Sequence, residues 1–294
     1  MAPRASFKFG LIAFLASRKL APVEKGRTRP PARGSVEIRN RPRDPDRQAT
    51  DRRPVHRRHG GRLTVRRDVP QGAKPGRTAF FHGGGWMLGS IETHDYLAAT
   101  IALQSGHEVM SVQYRLAPEH PFTAGLEDCL AVTRPLAATG KVAVAGDSSG
   151  GNLAAVVANE LPVLAQFLMY PVTDSAHEAP SYDLYPADHV LTRDTMRYFR
   201  HAYAPDPTTH ASPWVSPLRH PDPARTAPAL ISVAQCDILR DEGAAHADRL
   251  RDAGVEVVFE DVTGAVHAFA TLLGLNEAQK TVKRRSKWLA SKLA

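Results

Sequence analysis

From Arg62 onward, short runs rich in β-branched and aromatic residues alternate with segments of helical periodicity, and this alternation restricts the fold more than any other feature. A chain built this way satisfies its backbone by pairing the strands in parallel and laying helices over both faces of the sheet. Candidate strands cover residues 63–67, 78–82, 108–114, 141–146, 166–170, 229–234 and 255–261. Candidate helices cover residues 94–104, 124–138, 151–160, 241–253 and 276–293. The expected class is α/β, with a mostly parallel central sheet. Residues 175–226, with Pro, His and Asp throughout and one helical candidate at 192–204, break the alternation and read as an inserted cap. At 294 residues and 43% hydrophobic, the chain is long enough and apolar enough to bury such a core.

The first 61 residues have a different texture. Residues 1–79 carry a net charge of +15 and residues 80–294 a net of −7, so the overall +8 is a local excess and not a property of the whole surface. Phe7, Leu11, Phe14 and Leu15 can share one helical face. A secretory leader is disfavoured there, because Arg18 and Lys19 follow the apolar stretch directly without a small-x-small cleavage site. Residues 21–61 are rich in Arg and Pro, which describes a loosely ordered basic arm or partial cap. Arginine is not interleaved with aromatics in that arm, so nucleic acid is not an expected partner. Cys129 and Cys236 lie far apart, without metal-ligand or CxxC spacing, and His56 and His59 lack a third ligand, so no metal is expected. No apolar run reaches the roughly 18 residues of a spanning helix. A reducing, cytoplasmic location and no integral membrane association are the corresponding expectations.

Two glycine-rich segments carry the chemistry. Gly146-Asp147-Ser148-Ser149-Gly150 follows a candidate strand and opens a candidate helix, the setting in which a sharp turn lifts a serine hydroxyl to the open end of a sheet. His82-Gly83-Gly84-Gly85-Trp86 ends another candidate strand. Consecutive glycines there bare a row of backbone N–H groups, which is what a developing oxyanion needs. Neither GxGxxG nor Gly-Lys-Ser/Thr is present, so a nucleotide-phosphate site has little support.

Together with YRLAPEHPF at residues 114–122, GDSSGG at 146–151, YPVTD at 170–174 and DILRDEG at 237–243, the HGGGW motif makes the chain resemble the bacterial hormone-sensitive-lipase-like (family IV) carboxylesterases over most of residues 78–293. The resemblance implies an α/β-hydrolase domain over residues 62–294, with a cap insertion at about 175–226, that hydrolyses short-acyl, small-molecule esters without a cofactor. It also implies Ser148 as nucleophile, Asp237 as acid and His267 as base, in the chain order this fold requires. The oxyanion loop is Gly83, Gly84 and Gly85 with Ser149; the second and third glycines are the expected donors and Gly83 is structural. Asp241 and Glu242 are rival acids, read as first-turn helix residues. Trp86, Met87 and Leu88 are divided between lining the substrate pocket and packing in the core. Arg115 is expected to seek a carboxylate and Cys236 to be a small buried residue. An amidase, deacetylase or lactonase on the same triad, a non-catalytic ligand-binding relative, and a homodimer all stay open.

Three departures from the family pattern accompany the resemblance. Ser149 stands where alanine is usual, and Ala268 where glycine usually follows the histidine. The connections at residues 138–141 and 159–162 look short, and the arm is too polar to supply packed cap helices.

Overall fold

The computed structural model describes residues 51–58, 62–187, 189–272 and 276–294. The expected helix over residues 6–20 and most of the arm lie outside the described residues.

Eight strands form one sheet: β1 (Asp51–Arg58), β2 (Arg62–Val69), β3 (Lys74–Phe81), β4 (His107–Gln113), β5 (Val142–Asp147), β6 (Gln166–Met169), β7 (Ala229–Cys236) and β8 (Val257–Val266). Their order is β1-β2-β4-β3-β5-β6-β7-β8. Pairing from β4 through β3 to β8 is parallel, and only β2 runs against its neighbours. Every residue of β5 and β6 is buried, as expected for parallel strands covered on both faces. Seven helices of the described residues complete the fold: α1 (Asp95–Ser105), α2 (Ala124–Thr139), α3 (Ser149–Glu160), α4 (Ser181–Leu184), α5 (Arg193–Tyr203), α6 (Arg240–Asp252) and α7 (Asn276–Leu293). The helices α1 and α7 pack on each other, α2 packs on α3, and α6 lies along β7 and β8.

All seven expected strands are present. The eighth, β1, corrects one part of the reading: residues 51–58, counted within the loosely ordered basic arm, form a strand. Asp51–Arg58 pairs with β2 in a continuous antiparallel register from Asp51 opposite Val69 to Arg58 opposite Arg62. An edge strand needs only backbone partners on one side, so it tolerates Pro54 and a run of arginines that no central strand would accept. The Gly60-Gly61 pair between the two strands was the available hairpin signal.

Residues 175–226 connect the adjacent strands β6 and β7 and contain α4, α5 and three short 3₁₀ turns. The segment is tied to the rest at several points. Asn152 of α3 donates from Nδ2 to the Val172 and Val215 carbonyls, 2.9 Å each. Trp86 stacks on Tyr203 of α5 at 4.4 Å between centroids and 5° between planes. The helix α5 itself starts at Thr192, whose hydroxyl accepts the Thr195 amide at 3.2 Å.

Candidate active site

Four strand ends converge. The chain leaves β5 directly into α3 through Ser148, which has φ 54° and ψ −120°. A serine in that region is strained by about 1–3 kcal/mol, so the surroundings must hold it there. They do so by close approach: a Cβ on Gly150 would run into the Phe81 carbonyl, so only glycine lets α3 sit against the end of β3. The Ser148 amide donates to the Met169 carbonyl at 2.8 Å, and the Ser148 carbonyl accepts from Asn152 at 3.0 Å.

From the ends of β7 and β8 come Asp237 and His267. His267 Nε2 lies 2.9 Å from Ser148 Oγ, and His267 Nδ1 lies 2.7 Å from Asp237 Oδ2. The second carboxylate oxygen of Asp237 accepts the Leu239 amide at 3.1 Å. Asp237 and His267 are both buried, so neither exchanges these partners for bulk water. The imidazole is further fixed by an edge contact with Tyr170 at 4.9 Å, and Tyr170 by Phe269 at 5.1 Å. Ala268 takes φ 63°, the conformation glycine would adopt freely, which is the physical meaning of the departure seen in the sequence.

From the end of β3, Gly84 turns the oxyanion loop at φ 123°, with its own carbonyl accepting the Met87 and Leu88 amides at 3.2 and 2.9 Å. Among the described residues no acceptor takes the amides of Gly84, Gly85 or Ser149; Ser149 directly follows Ser148, and the glycine loop is tied to Asp147, the residue before it. Gly83, counted within the expected hole, is not a free donor. Its N–H goes to Asp147 Oδ1 at 2.9 Å, because the loop must be anchored to β5 before the later amides can point into the site.

The other sequence candidates divide. Trp86 is buried in its stack with Tyr203, Met87 is half-buried against the core, and Leu88 is exposed. Arg115 finds its carboxylate in Asp128, at 2.9 Å from Nε. Neither rival acid approaches the imidazole: Asp241 pairs with Arg240 at 3.0 Å, and Glu242 accepts the Thr173 amide at 2.7 Å. Burial pushes the Glu242 carboxyl up to about 8, against Arg200 and the backbone donors of Thr173 and Asp174. Cys236 is buried, and burial raises its thiol pKa. Among the described residues no three His, Cys, Asp or Glu side chains gather as metal ligands, and no helix is long and apolar enough to cross a membrane. A groove of about 820 Å³ between α2 and strands β2 and β4, lined by Leu63, Val65, Met110 and Leu136 among others, shares no residue with the site.

Sequence reasoning missed Asp147 and His94. Asp147 sits inside the serine motif but was passed over for its neighbours, and His94 lies outside every motif; together they hold the oxyanion loop from behind. The one signal was the aspartate inside GDSSGG.

A strained serine at a strand-to-helix turn, an imidazole bridging it to a buried carboxylate, and open amides opposite define a site of the serine-hydrolase kind on a parallel α/β sheet. The chain belongs to the alpha/beta hydrolase fold family, whose profile matches residues 78–271. It is 38% identical over 205 residues to the ethyl acetate hydrolase of Pseudomonas putida, a match covering 65% of this chain and 64% of that protein. It is 36% identical over 242 residues to lipase 2 of Moraxella sp. (strain TA144), covering 67% of this chain and 55% of that one. The chain therefore spans less than two thirds of the length of these two curated relatives. Among solved structures it is similar to the hyperthermophilic esterase from the archaeon Pyrobaculum calidifontis, with a TM-score of 0.77, 36% identity and 83% of each chain covered. The resemblance to hormone-sensitive-lipase-like esterases is thereby borne out.

Proposed function

We propose that this chain is a serine carboxylesterase that hydrolyses short-acyl, small-molecule esters. The observation that carries the reading is the continuous hydrogen-bonded path Asp237–His267–Ser148 facing the untaken amides of Gly84, Gly85 and Ser149. In this mechanism Oγ of Ser148 attacks the ester carbonyl as Nε2 of His267 takes its proton. Asp237 holds the imidazole with Nδ1 protonated and stabilises the imidazolium. The carbonyl oxygen, now an oxyanion, accepts from Gly84, Gly85 and Ser149. His267 returns the proton to the leaving alcohol, then activates water to cleave the acyl-enzyme. No cofactor enters. Residues 175–226 act as the cap, bringing α5 against the oxyanion loop, where a Cβ on Gly85 would meet the Phe199 ring.

The short-acyl preference draws on the ethyl acetate hydrolase among the relatives. It is tested by releasing 4-nitrophenol from acetate, butyrate, octanoate and palmitate esters. Wild type should favour acetate and butyrate, and Ser148→Ala should lose the activity. Equal rates on palmitate, or an active Ser148→Ala, would refute it. Homodimerisation and a cytoplasmic location belong to the same reading, and light scattering and cell fractionation check them.

A further inference from the structure

Behind the oxyanion loop, a single carboxylate oxygen collects two partners. Asp147 Oδ1 accepts the Gly83 amide at 2.9 Å and lies 3.4 Å from His94 Nε2. The other nitrogen of His94, Nδ1, is 2.8 Å from Thr93 Oγ1. With the proton of that hydroxyl on the Ser90 carbonyl, 2.9 Å away, its oxygen is left to accept from the imidazole. In that arrangement both ring nitrogens of His94 face acceptors, Asp147 on one side and Thr93 on the other, as an imidazolium requires.

The same loop is pinned on its other side. His82 Nδ1 donates to the Gly83 carbonyl at 2.9 Å, and the Tyr114 hydroxyl donates to the His82 carbonyl at 2.8 Å. Because a peptide unit is planar, fixing the Gly83 carbonyl fixes the direction of the Gly84 N–H on the same unit. Asp147 fixes the preceding unit through the Gly83 amide. A carboxylate next in sequence to the nucleophile would, alone, oppose negative charge on the reacting oxygen; a cation against it removes that opposition.

We propose that His94 is a positioning residue, held as an imidazolium, which with Asp147 pre-sets the Gly83–Gly84 peptide for the oxyanion and neutralises the carboxylate beside Ser148. This rests on the esterase reading above. Charge at His94 agrees with its neighbours. Burial opposes ionisation of both partners, yet the pair keeps the His94 pKa raised and the Asp147 pKa lowered. The adjacent His82 ring, 5.5 Å away and stacked on Tyr114, is driven down to about 4 by burial and stays neutral. Of the other charged groups nearby, Asp95 is paired with Arg66 of β2 at 3.2 Å, and Glu92 is exposed with its pKa lowered by the Ser90 hydroxyl.

The test compares wild type, His94→Gln and Ser148→Ala in 4-nitrophenyl butyrate hydrolysis across pH, with nitrogen-15 NMR of the histidine rings in wild type. Gln keeps a donor toward Asp147 but no charge. His94→Gln should lower kcat about tenfold with KM within about twofold, less than the loss of a whole oxyanion donor. Wild-type kcat should fall at alkaline pH as His94 loses its proton, toward the level of His94→Gln, whose own profile lacks that limb. A residue that only supported the fold would not produce this limb. In the NMR spectrum both His94 nitrogens should be protonated at neutral pH, a readout that needs no variant to fold. A neutral His94 ring, or a His94→Gln enzyme with wild-type kcat and profile beside an inactive Ser148→Ala, overturns the positioning role and leaves the esterase reading standing. An active Ser148→Ala overturns both.

Discussion

The nucleophile and the base are held by opposite kinds of structure. Ser148 sits between β5, buried along its whole length, and α3, whose residues from Ser149 to Ala158 are all buried. His267 follows β8, the outermost strand, which is buried only over its last three residues, Gly264 to Val266. The serine is thus immobilised by the core itself. The histidine depends on Asp237 and on two aromatic rings, Tyr170 and Phe269, at the tip of an otherwise half-exposed strand. Damage on the serine side should cost folding before it costs chemistry, and damage on the histidine side should do the reverse.

The largest effects come from the triad, where both sides must fail alike. Ser148→Ala and His267→Ala should each lower kcat by about 10⁶, the cost found in other triads, with thermal midpoints near wild type. Asp237→Asn should cost about 10⁴, because the imidazole is then held in the wrong tautomer; steady-state kinetics on the short esters measures all three. The comparison itself is sharpened by Leu153→Ala in α3 against Phe269→Ala beside the histidine, both fully buried. Each should lose about 3–4 kcal/mol in urea denaturation. Only Phe269→Ala should also lower kcat per folded molecule, by about tenfold, since small misplacements of a reacting group are expensive. Equal kcat losses in the two would break the contrast.

Glu242 gives a pH test on the same loop system. Its carboxyl sits at about 8 in the fold against an ordinary 4.5, so the folded state holds its proton more tightly than the unfolded chain. Its contribution to stability is complete below about 4.5 and is lost as pH rises through about 8. Glu242→Gln should remove that part of the decline in thermal midpoint between those two pH values. The smallest effect belongs to Ala268→Gly. Relief of the left-handed strain at φ 63° is partly offset by the flexibility glycine gives the unfolded chain. The net should be a gain of about 0.5 kcal/mol with kcat unchanged.

What was legible in the sequence was what is local. An elbow and a glycine row, each after a strand, are defined by a few neighbouring residues, and the order of strands and helices follows hydrophobic runs of similar length; Asp237 and His267 were picked from among many aspartates and 13 histidines only through the resemblance to the esterase family. The strand β1 was hidden because its arginines and proline carry no apolar period, and edge pairing asks for none. The His94–Asp147 contact was hidden for a different reason. It joins residues 53 positions apart, the N-cap of α1 and the last residue of β5, and nothing in the spacing of either announces the other. Gly83 was read as the structural member of its loop; that the acceptor of its amide is Asp147 is decided only in the folded chain.

The central claim is that Ser148 is the one nucleophile, activated by His267. It is tested most directly by treating the folded protein with a 4-nitrophenyl phosphonate and mapping the adduct by mass spectrometry. One adduct per chain, on Ser148, absent in Ser148→Ala and formed far more slowly in His267→Ala, is the predicted result. An adduct on Ser149 or elsewhere, or none on demonstrably folded protein, would contradict it.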